Sequence, residues 1–365
     1  MSVASLAPDY VRAIMAYQPG KPISELAREM GIAEANIVKL ASNENPLGMS
    51  PKAREAAMAA VGDVSRYPDG GAFALKKALC RKLGVQPEQL VVGNGSNDIL
   101  ELVSQAFLAP GLSAVYSRHA FAVYPLATNA RGATGIEVAA KNFGHDLDAM
   151  AAAIRPETRV VFIANPNNPT GTFLGGAELE AFLGKVPHHV LVVLDEAYTE
   201  YLAPAQRYDS IAWLARFPNL LVSRTFSKAY GLAGLRVGYG VADPGVADLM
   251  NRVRQPFNVS SVGLAAAEAA LGDEEFIARS AEINQRGMTQ LTAAFAAMGL
   301  EWIPSCGNFL TFKVGDAVGV NQALLRQGVI VRPIAAYGMP HWLRVSIGLP
   351  EENARFIAAL EQALA

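Results

Sequence analysis

The sequence predicts an α/β protein in which helices flank a large, mostly parallel sheet and a smaller α+β domain follows. Short β-branched runs alternate with helical patterns through most of the chain. This alternation is expected when helices cover both faces of one sheet. Several runs are apolar at consecutive positions, which is typical of strands buried on both faces. The C-terminal part follows a different order and begins with one long helical pattern.

The strands of the large sheet are predicted from short apolar runs, at residues 90–93, 113–117, 159–164, 190–194, 219–223 and 236–240. Amphipathic stretches between them are predicted to be helices, at residues 97–108, 178–185 and 246–254. We expect a seven-stranded type of sheet that contains these strands.

The smaller domain is predicted to begin with a long helix at 274–298, because apolar residues recur there at helical spacing. Strand-like pieces and a closing helix follow it, at 308–313, 329–332, 342–347 and 351–364. We therefore divide the chain into an N-terminal arm (1–40), a large domain (41–273) and a small domain (274–365). The arm contains Pro19-Gly20-Lys21-Pro22, which favours a segment that leaves its own body for the small domain or a partner subunit.

Composition excludes several functional classes. The 365 residues carry 31 basic and 33 acidic side chains, a net charge of -2, so a nucleic-acid partner is not expected. Two cysteines, Cys80 and Cys306, are too few for a disulfide scaffold or a zinc cluster. The five histidines show no metal-binding spacing, and we expect no bound metal. Apolar runs are too short to span a membrane, so the predicted location is the cytoplasm.

Chemically useful residues follow four of the predicted strands. Ligands of open α/β sheets bind at the carboxyl ends of the strands. Asp195 follows one strand, Lys228 another and Asn168 a third, while Gly93-Asn94-Gly95-Ser96-Asn97 follows the fourth and opens a helix. Each alone has an ordinary explanation as a cap, a solvated lysine, a tight turn or a weak glycine motif. Together they predict a site for a phosphorylated, nitrogenous cofactor that can form an imine.

Four longer motifs carry a family resemblance. They are NPNNPTG at 165–171, DEAY at 195–198, SKAYGLAGLR at 227–236 and LRVSIG at 343–348. With them the chain resembles the fold-type-I pyridoxal-phosphate aminotransferases of class I/II along nearly its whole length. Further motifs are moderately specific for a branch of that family that acts on histidinol phosphate, namely YQPGKPI at 17–23, LASNENPLG at 40–48, RYPD at 66–69 and GVIVRP at 328–333.

The resemblance implies that pyridoxal 5'-phosphate is the cofactor and that Lys228 forms the Schiff base with it. Asp195 would pair with the pyridine nitrogen, while Asn168 and Tyr198 would bond the ring hydroxyl oxygen. The cofactor phosphate would be held by the helix start and by hydroxyl and guanidinium groups, namely Ser96, Asn97, Thr225, Ser227 and Arg236. Phe121 would stack on the cofactor ring, where family members often have tyrosine. Tyr67 would reach the phosphate of a neighbouring subunit in a homodimer.

The resemblance also implies substrate contacts and a reaction. Arg344 would bind the carboxylate of glutamate and the phosphate of the other substrate, since a planar guanidinium suits both anions. Arg332 and Tyr17 are further phosphate candidates, with Tyr17 a candidate for donation by the partner chain, and Asn43 is a candidate at the entrance. The expected reaction is amino-group transfer between L-histidinol phosphate and 2-oxoglutarate.

Other functions on the same scaffold stay open at this point. An aromatic-amino-acid or prephenate aminotransferase would lack the second anion site. An amino-acid-phosphate decarboxylase would use the same Lys228 and Asp195 and break a different bond of the substrate. A cofactor-binding sensor is disfavoured because the N-terminal forty residues contain no helix-turn-helix pattern.

Overall fold

The structure is a computed structural model that describes residues 2–17 and 20–365. Residues 18 and 19, which belong to the predicted arm and to the YQPGKPI motif, lie outside the described residues. Within the described ranges, no helix is long and apolar enough to cross a membrane.

The helices of the described residues are α1 Asp9–Arg12, α2 Ile23–Met30, α3 Pro51–Val61, α4 Phe73–Leu83, α5 Ser96–Phe107, α6 Val123–Ala130, α7 Leu147–Ala152, α8 Gly176–Leu183, α9 Ser210–Trp213, α10 Pro244–Val253, α11 Ser261–Leu271, α12 Glu274–Ala297, α13 Ala317–Arg326 and α14 Pro350–Leu364. The strands are β1 Val38–Lys39, β2 Leu90–Gly93, β3 Ser113–Ser117, β4 Thr134–Val138, β5 Thr158–Ala164, β6 Leu191–Asp195, β7 Leu220–Thr225, β8 Gly238–Ala242, β9 Trp302–Ile303, β10 Phe309–Lys313, β11 Val329–Ile330, β12 Arg332–Pro333 and β13 Trp342–Ser346.

The large sheet has seven strands in the order β2-β8-β7-β6-β5-β3-β4. Strand β8 is antiparallel to both of its neighbours, and the other pairs are parallel. The predicted α/β fold with a mostly parallel sheet is therefore confirmed. Sequence analysis missed β4 because this edge strand has partly exposed residues and no continuous apolar run. The predicted strand at 236–240 begins later, since Arg236 adopts a left-handed conformation with φ of 56°.

Helices cover both faces of this sheet. Helices α5, α6 and α10 pack on one face around Val103, Tyr124 and Phe162. Helices α7 and α8 pack on the other face around Val192 and Phe182. The parallel strands are thereby buried on both sides, which explains their consecutive apolar residues. Their carboxyl ends stay open for a site.

The C-terminal part forms a four-stranded antiparallel sheet in the order β12-β13-β10-β9. Helices α12, α13 and α14 cover it around a cluster of Phe295, Phe312 and Phe356. The predicted strand at 329–332 is divided in the structure, because β11 pairs with β1 whereas β12 joins the four-stranded sheet. This division places Arg332 opposite Arg344 on neighbouring strands.

Residues 23–40 of the predicted N-terminal arm contact the C-terminal part of their own chain. Leu26 of α2 is fully buried in a cluster with Leu325 and Ile330 of the C-terminal part. Strand β1 extends this contact by pairing in parallel with β11. Residues 23–40 therefore pack on the same chain, because their apolar side chains find a partner surface there.

Candidate active site

A pocket lies at the carboxyl ends of the large sheet. It gathers every predicted cofactor residue except Tyr67, namely Ser96, Asn97, Phe121, Asn168, Asp195, Tyr198, Thr225, Ser227, Lys228 and Arg236. The residues come from segments far apart in sequence that the parallel strands deliver to one edge. This is the position at which open α/β sheets bind ligands.

Lys228 lies in the turn after β7, and its Nζ donates to the carbonyl of Ser42 at 3.2 Å. Burial lowers the pKa of this amine to about 8, and the nearby guanidinium of Arg344 adds to the shift. The neutral fraction of this lysine near neutral pH is therefore larger than that of an ordinary lysine, although the protonated form still predominates. A neutral amine is the form that attacks a carbonyl carbon or accepts a proton.

Asp195 ends strand β6 and is almost completely buried. Its Oδ2 accepts a hydrogen bond from the hydroxyl of Tyr124 at 3.1 Å. Its Oδ1 is buried and has no partner within the described chain. Desolvation raises the pKa of this carboxyl to about 7. A donor with positive charge placed at Oδ1 would satisfy that oxygen and favour the ionised carboxylate.

Asn43 supports Tyr198 and does not line an entrance as predicted. It is 1% exposed, and its Nδ2 donates to the Tyr198 hydroxyl oxygen at 3.0 Å. Its backbone adopts a left-handed φ of 55°, and its N–H donates to Ser346 Oγ at 2.8 Å. The Ser346 hydroxyl in turn donates to Asn43 Oδ1 at 3.0 Å. Asn43 thus links the Tyr198 ring to strand β13.

The start of α5 forms a cradle for an anion. The first N–H groups of the helix, at Ser96 and Asn97, face the pocket with the positive end of the helix dipole. Arg236 lies beside them and donates to Ser227 Oγ at 3.4 Å. Strand β8 lies so close to this turn that residue 238 must be glycine. A Cβ at Gly238 would lie 2.2 Å from the Ser96 nitrogen.

The two predicted aromatic contacts have different positions. Phe121 lines the pocket and packs its ring edge-on against Tyr124, with centroids 5.9 Å apart. Tyr67 is 84% exposed and stacks on Phe257 at the surface, with centroids 4.7 Å apart. Tyr67 therefore contributes nothing to the pocket of its own chain.

Arg344 and Arg332 do not line this pocket, but they face each other on strands of the small sheet, and Arg344 contacts the pocket residue Asn168. Arg344 is buried, donates to Asn168 Oδ1 and donates to the Ala41 carbonyl at 2.8 Å. Its Nε is buried and has no partner among the described residues. The Arg332 guanidinium donates to the Tyr17 hydroxyl at 3.1 Å and lies 5.4 Å from the centre of that ring. Tyr17 is thus a neighbour of Arg332 within one chain.

Sequence reasoning missed several residues that support the site. Tyr124 holds Asp195, and the carbonyl of Ser42 accepts from Lys228. Arg224 and the buried Glu196 form an ion pair of 2.8 Å that joins the ends of β7 and β6. These residues have no local pattern that marks them, since each role depends on a neighbour from another part of the chain. Within residues 2–17 and 20–365, no group of side chains is arranged to hold a metal ion.

Comparisons with known proteins agree with this site. The sequence model of the family described as "Aminotransferase class I and II" matches residues 35–360. Histidinol-phosphate aminotransferase 1 of Thiobacillus denitrificans is 64% identical over 362 residues, which are 99% of this chain and 94% of that protein. Histidinol-phosphate aminotransferase of Methylobacillus flagellatus is 65% identical over 358 residues, 98% of this chain and 97% of that protein.

A solved structure extends the likeness to the fold. The crystal structure of histidinol-phosphate aminotransferase from Sinorhizobium meliloti in complex with pyridoxal-5'-phosphate matches with a TM-score of 0.89 and 29% identity. The match covers 98% of this chain and 96% of that one. The family resemblance predicted from the motifs is confirmed: the chain belongs to the class I and II aminotransferase family.

Proposed function

We propose that the protein transfers an amino group between L-histidinol phosphate and 2-oxoglutarate, giving imidazole-acetol phosphate and glutamate, with pyridoxal 5'-phosphate as cofactor. The names of relatives more than 60% identical over nearly the whole chain support the substrate. The pairing of Arg332 with Arg344 across β12 and β13 is the structural observation that carries the proposal. Two guanidinium groups side by side suit a phosphate dianion better than a single carboxylate.

The pocket has the donors and acceptors that pyridoxal 5'-phosphate needs. The unpartnered Oδ1 of Asp195 matches a protonated ring nitrogen, and the start of α5 with Arg236 matches a phosphate. Asn168 and Tyr198 also line the pocket, and their N–H and O–H groups are donors for a ring oxygen. When bound, the cofactor supplies an electrophilic carbon and a ring that accepts electrons from the substrate carbon.

The chain's own residues then handle protons and charge. Lys228 is suited to accept and return a proton at the substrate carbon, because burial brings the pKa of its amine to about 8. Asp195 holds the ring nitrogen, and the Tyr198 hydroxyl is held in place by Asn43 at 3.0 Å. Arg344 binds whichever anionic group the substrate carries, and Arg332 adds a second contact for phosphate.

We also propose that the working unit is a homodimer in which Tyr67 acts in the partner's site. Tyr67 is 84% exposed and stacks on Phe257, which is itself 46% exposed, so two aromatic rings lie together at the surface. Exposed apolar patches of this kind are typical of protein interfaces. We assign Tyr17 to the site of its own chain, because its hydroxyl accepts a hydrogen bond from Arg332 of the same chain.

A half-reaction tests the substrate. The loaded enzyme is mixed with L-histidinol phosphate alone, and separately with L-phenylalanine alone, while the cofactor absorbance is followed. We expect rapid loss of the imine band with histidinol phosphate and a response at least tenfold slower with phenylalanine. An equal or faster response to phenylalanine would move the protein to the aromatic alternative. Release of carbon dioxide from an amino-acid phosphate would favour the decarboxylase instead.

A further inference from the structure

One buried tyrosine contacts two of the groups assigned to the cofactor ring. The Tyr124 hydroxyl donates to Asp195 Oδ2 at 3.1 Å, and the Tyr124 ring packs edge-on against Phe121 with centroids 5.9 Å apart. Asp195 would meet the edge of the ring and Phe121 its face. No other side chain in the described residues is hydrogen-bonded to the Asp195 carboxyl group.

Tyr124 is held rigidly at this position. It is completely buried and stacks on Phe162, with ring centroids 4.8 Å apart and planes inclined by 6°. Its backbone N–H donates to the Phe121 carbonyl at 3.1 Å, and Thr128 Oγ1 donates to its carbonyl at 2.7 Å. Since Phe162 belongs to β5 in the centre of the sheet, the hydroxyl of Tyr124 has little freedom to move.

This contact leaves the Asp195 carboxyl with one oxygen for a ligand. A phenol O–H only donates here, so it occupies Oδ2 and leaves Oδ1 buried without a partner. A hydrogen bond from a neutral donor also favours the ionised form of a carboxylate. Burial raises the pKa of the Tyr124 phenol well above 10, so the hydroxyl keeps its proton.

We propose that Tyr124 is a positioning residue that orients Asp195 so that Oδ1 receives the ring nitrogen of the bound cofactor. The proposal rests on pyridoxal 5'-phosphate as the cofactor in the proposed function. It goes beyond that function because it assigns a part in recognising the ring nitrogen to Tyr124, which does not itself touch this nitrogen.

The test compares two ligands on the cofactor-free protein. One is pyridoxal 5'-phosphate, and the other is its analogue with carbon in place of the ring nitrogen. Tyr124→Phe keeps the buried ring and removes only the hydroxyl. We expect its dissociation constant for pyridoxal 5'-phosphate to rise about tenfold, the effect of one hydrogen bond to a charged group. The constant for the analogue should change by less than about twofold, because the analogue offers Asp195 no N–H.

Tyr116→Phe is the matched control. Tyr116 is another buried tyrosine of the same cluster, on β3, and its hydroxyl is not hydrogen-bonded to the Asp195 carboxyl group. We expect this variant to bind both ligands as the unaltered protein does. If Tyr124→Phe does not fold, the test uses Phe162→Leu instead. This change loosens the packing of the Tyr124 ring, so it should weaken binding of pyridoxal 5'-phosphate more than binding of the analogue.

The outcomes separate this inference from the proposed function. Equal weakening of both ligands by Tyr124→Phe, or no weakening of either, would overturn the positioning role. Failure of the unaltered protein to bind pyridoxal 5'-phosphate would overturn the proposed function itself. A selective loss for the natural cofactor supports the inference whichever amino donor the enzyme uses.

Discussion

At the scale of single residues, Lys228 is the group on which we expect turnover to depend. Lys228→Ala should abolish amino-group transfer while the fold is kept, because alanine is smaller and, among the described residues, the Lys228 amine is hydrogen-bonded only to the Ser42 carbonyl. The measurement is the half-reaction with histidinol phosphate, with thermal unfolding as the check on the fold. Lys185→Ala, which removes an exposed lysine paired with Asp148, is the control. Continued transfer by Lys228→Ala would contradict the catalytic assignment.

The depressed pKa of Lys228 has a measurable consequence in the cofactor-free protein. Its pKa of about 8 lies below the ordinary value of 10.5, so the amine loses its proton at a lower pH than an ordinary lysine. Carbamylation by cyanate requires the neutral amine and should rise with a midpoint near pH 8, as followed by mass spectrometry of the peptide that contains residue 228. The same lysine in denaturant provides the comparison. A folded-state midpoint near 10.5 would show that burial does not act on this amine.

Arg332 is expected to distinguish phosphate from carboxylate. Arg332→Gln should raise the KM for histidinol phosphate about tenfold, since one of two charged contacts to the phosphate is lost. The KM for glutamate should change by less than about twofold, because Arg344 alone serves its carboxylate. Arg326→Gln removes an exposed charge of α13 and controls for the general loss of positive charge. Equal increases for both substrates would argue against a second anion contact.

At the scale of elements, the junction of β8 with the start of α5 decides whether the phosphate cradle forms. Gly238→Ala should weaken binding of the cofactor at least tenfold, because its Cβ would lie 2.2 Å from the Ser96 nitrogen and 2.5 Å from the Gly95 carbonyl carbon. Gly234→Ala is a matched control, since a Cβ at that glycine meets nothing within 4 Å. Equilibrium dialysis with pyridoxal 5'-phosphate gives both constants. Equal affinities would show that the turn yields without loss.

The positions of the strands could be predicted only in part from the sequence, and their order in the sheet was not predicted. The inner strands were predictable because burial on both faces leaves continuous apolar runs, as in 159–164. The run at 329–332 looks like one strand, yet it serves two sheets, and no local pattern records which neighbour each half pairs with. Helices α3 and α11 were missed because they are rich in alanine and carry weak apolar periodicity.

The residues of the candidate site could likewise be predicted only in part from the sequence. Residues at strand ends, such as Asp195 and Asn168, could be singled out because parallel strands bring their carboxyl ends to one edge. Tyr124 and Asn43 could not be interpreted in this way, since their roles lie in hydrogen bonds to Asp195 and Tyr198 across long stretches of chain. Sequence motifs identify the side chains that face the ligand more readily than they identify the residues that hold those side chains in place.

At the scale of the whole molecule, the proposed dimer predicts complementation between two impaired variants. Tyr67→Ala removes the group assigned to the partner's site, and Lys228→Ala removes the lysine of its own site. Subunits of both kinds, unfolded and refolded together, should recover activity that neither variant has alone, because a mixed dimer contains one complete site. Each variant refolded by itself is the control. No recovery, despite mixed dimers detected by mass spectrometry, would contradict the shared site.

The long-range contacts around Asn43 also say something about synthesis of the protein. The Asn43 N–H donates to Ser346, and the Ala41 carbonyl accepts from Arg344. Residues 41 and 43 can therefore form these hydrogen bonds only after residues about three hundred positions later have been synthesised. On the ribosome, the large sheet can assemble and expose its pocket before these partners exist. A nascent chain therefore passes through a period with an unfinished pocket, and only translation past residue 346 closes it. Slow translation of residues 309–346 would prolong that period.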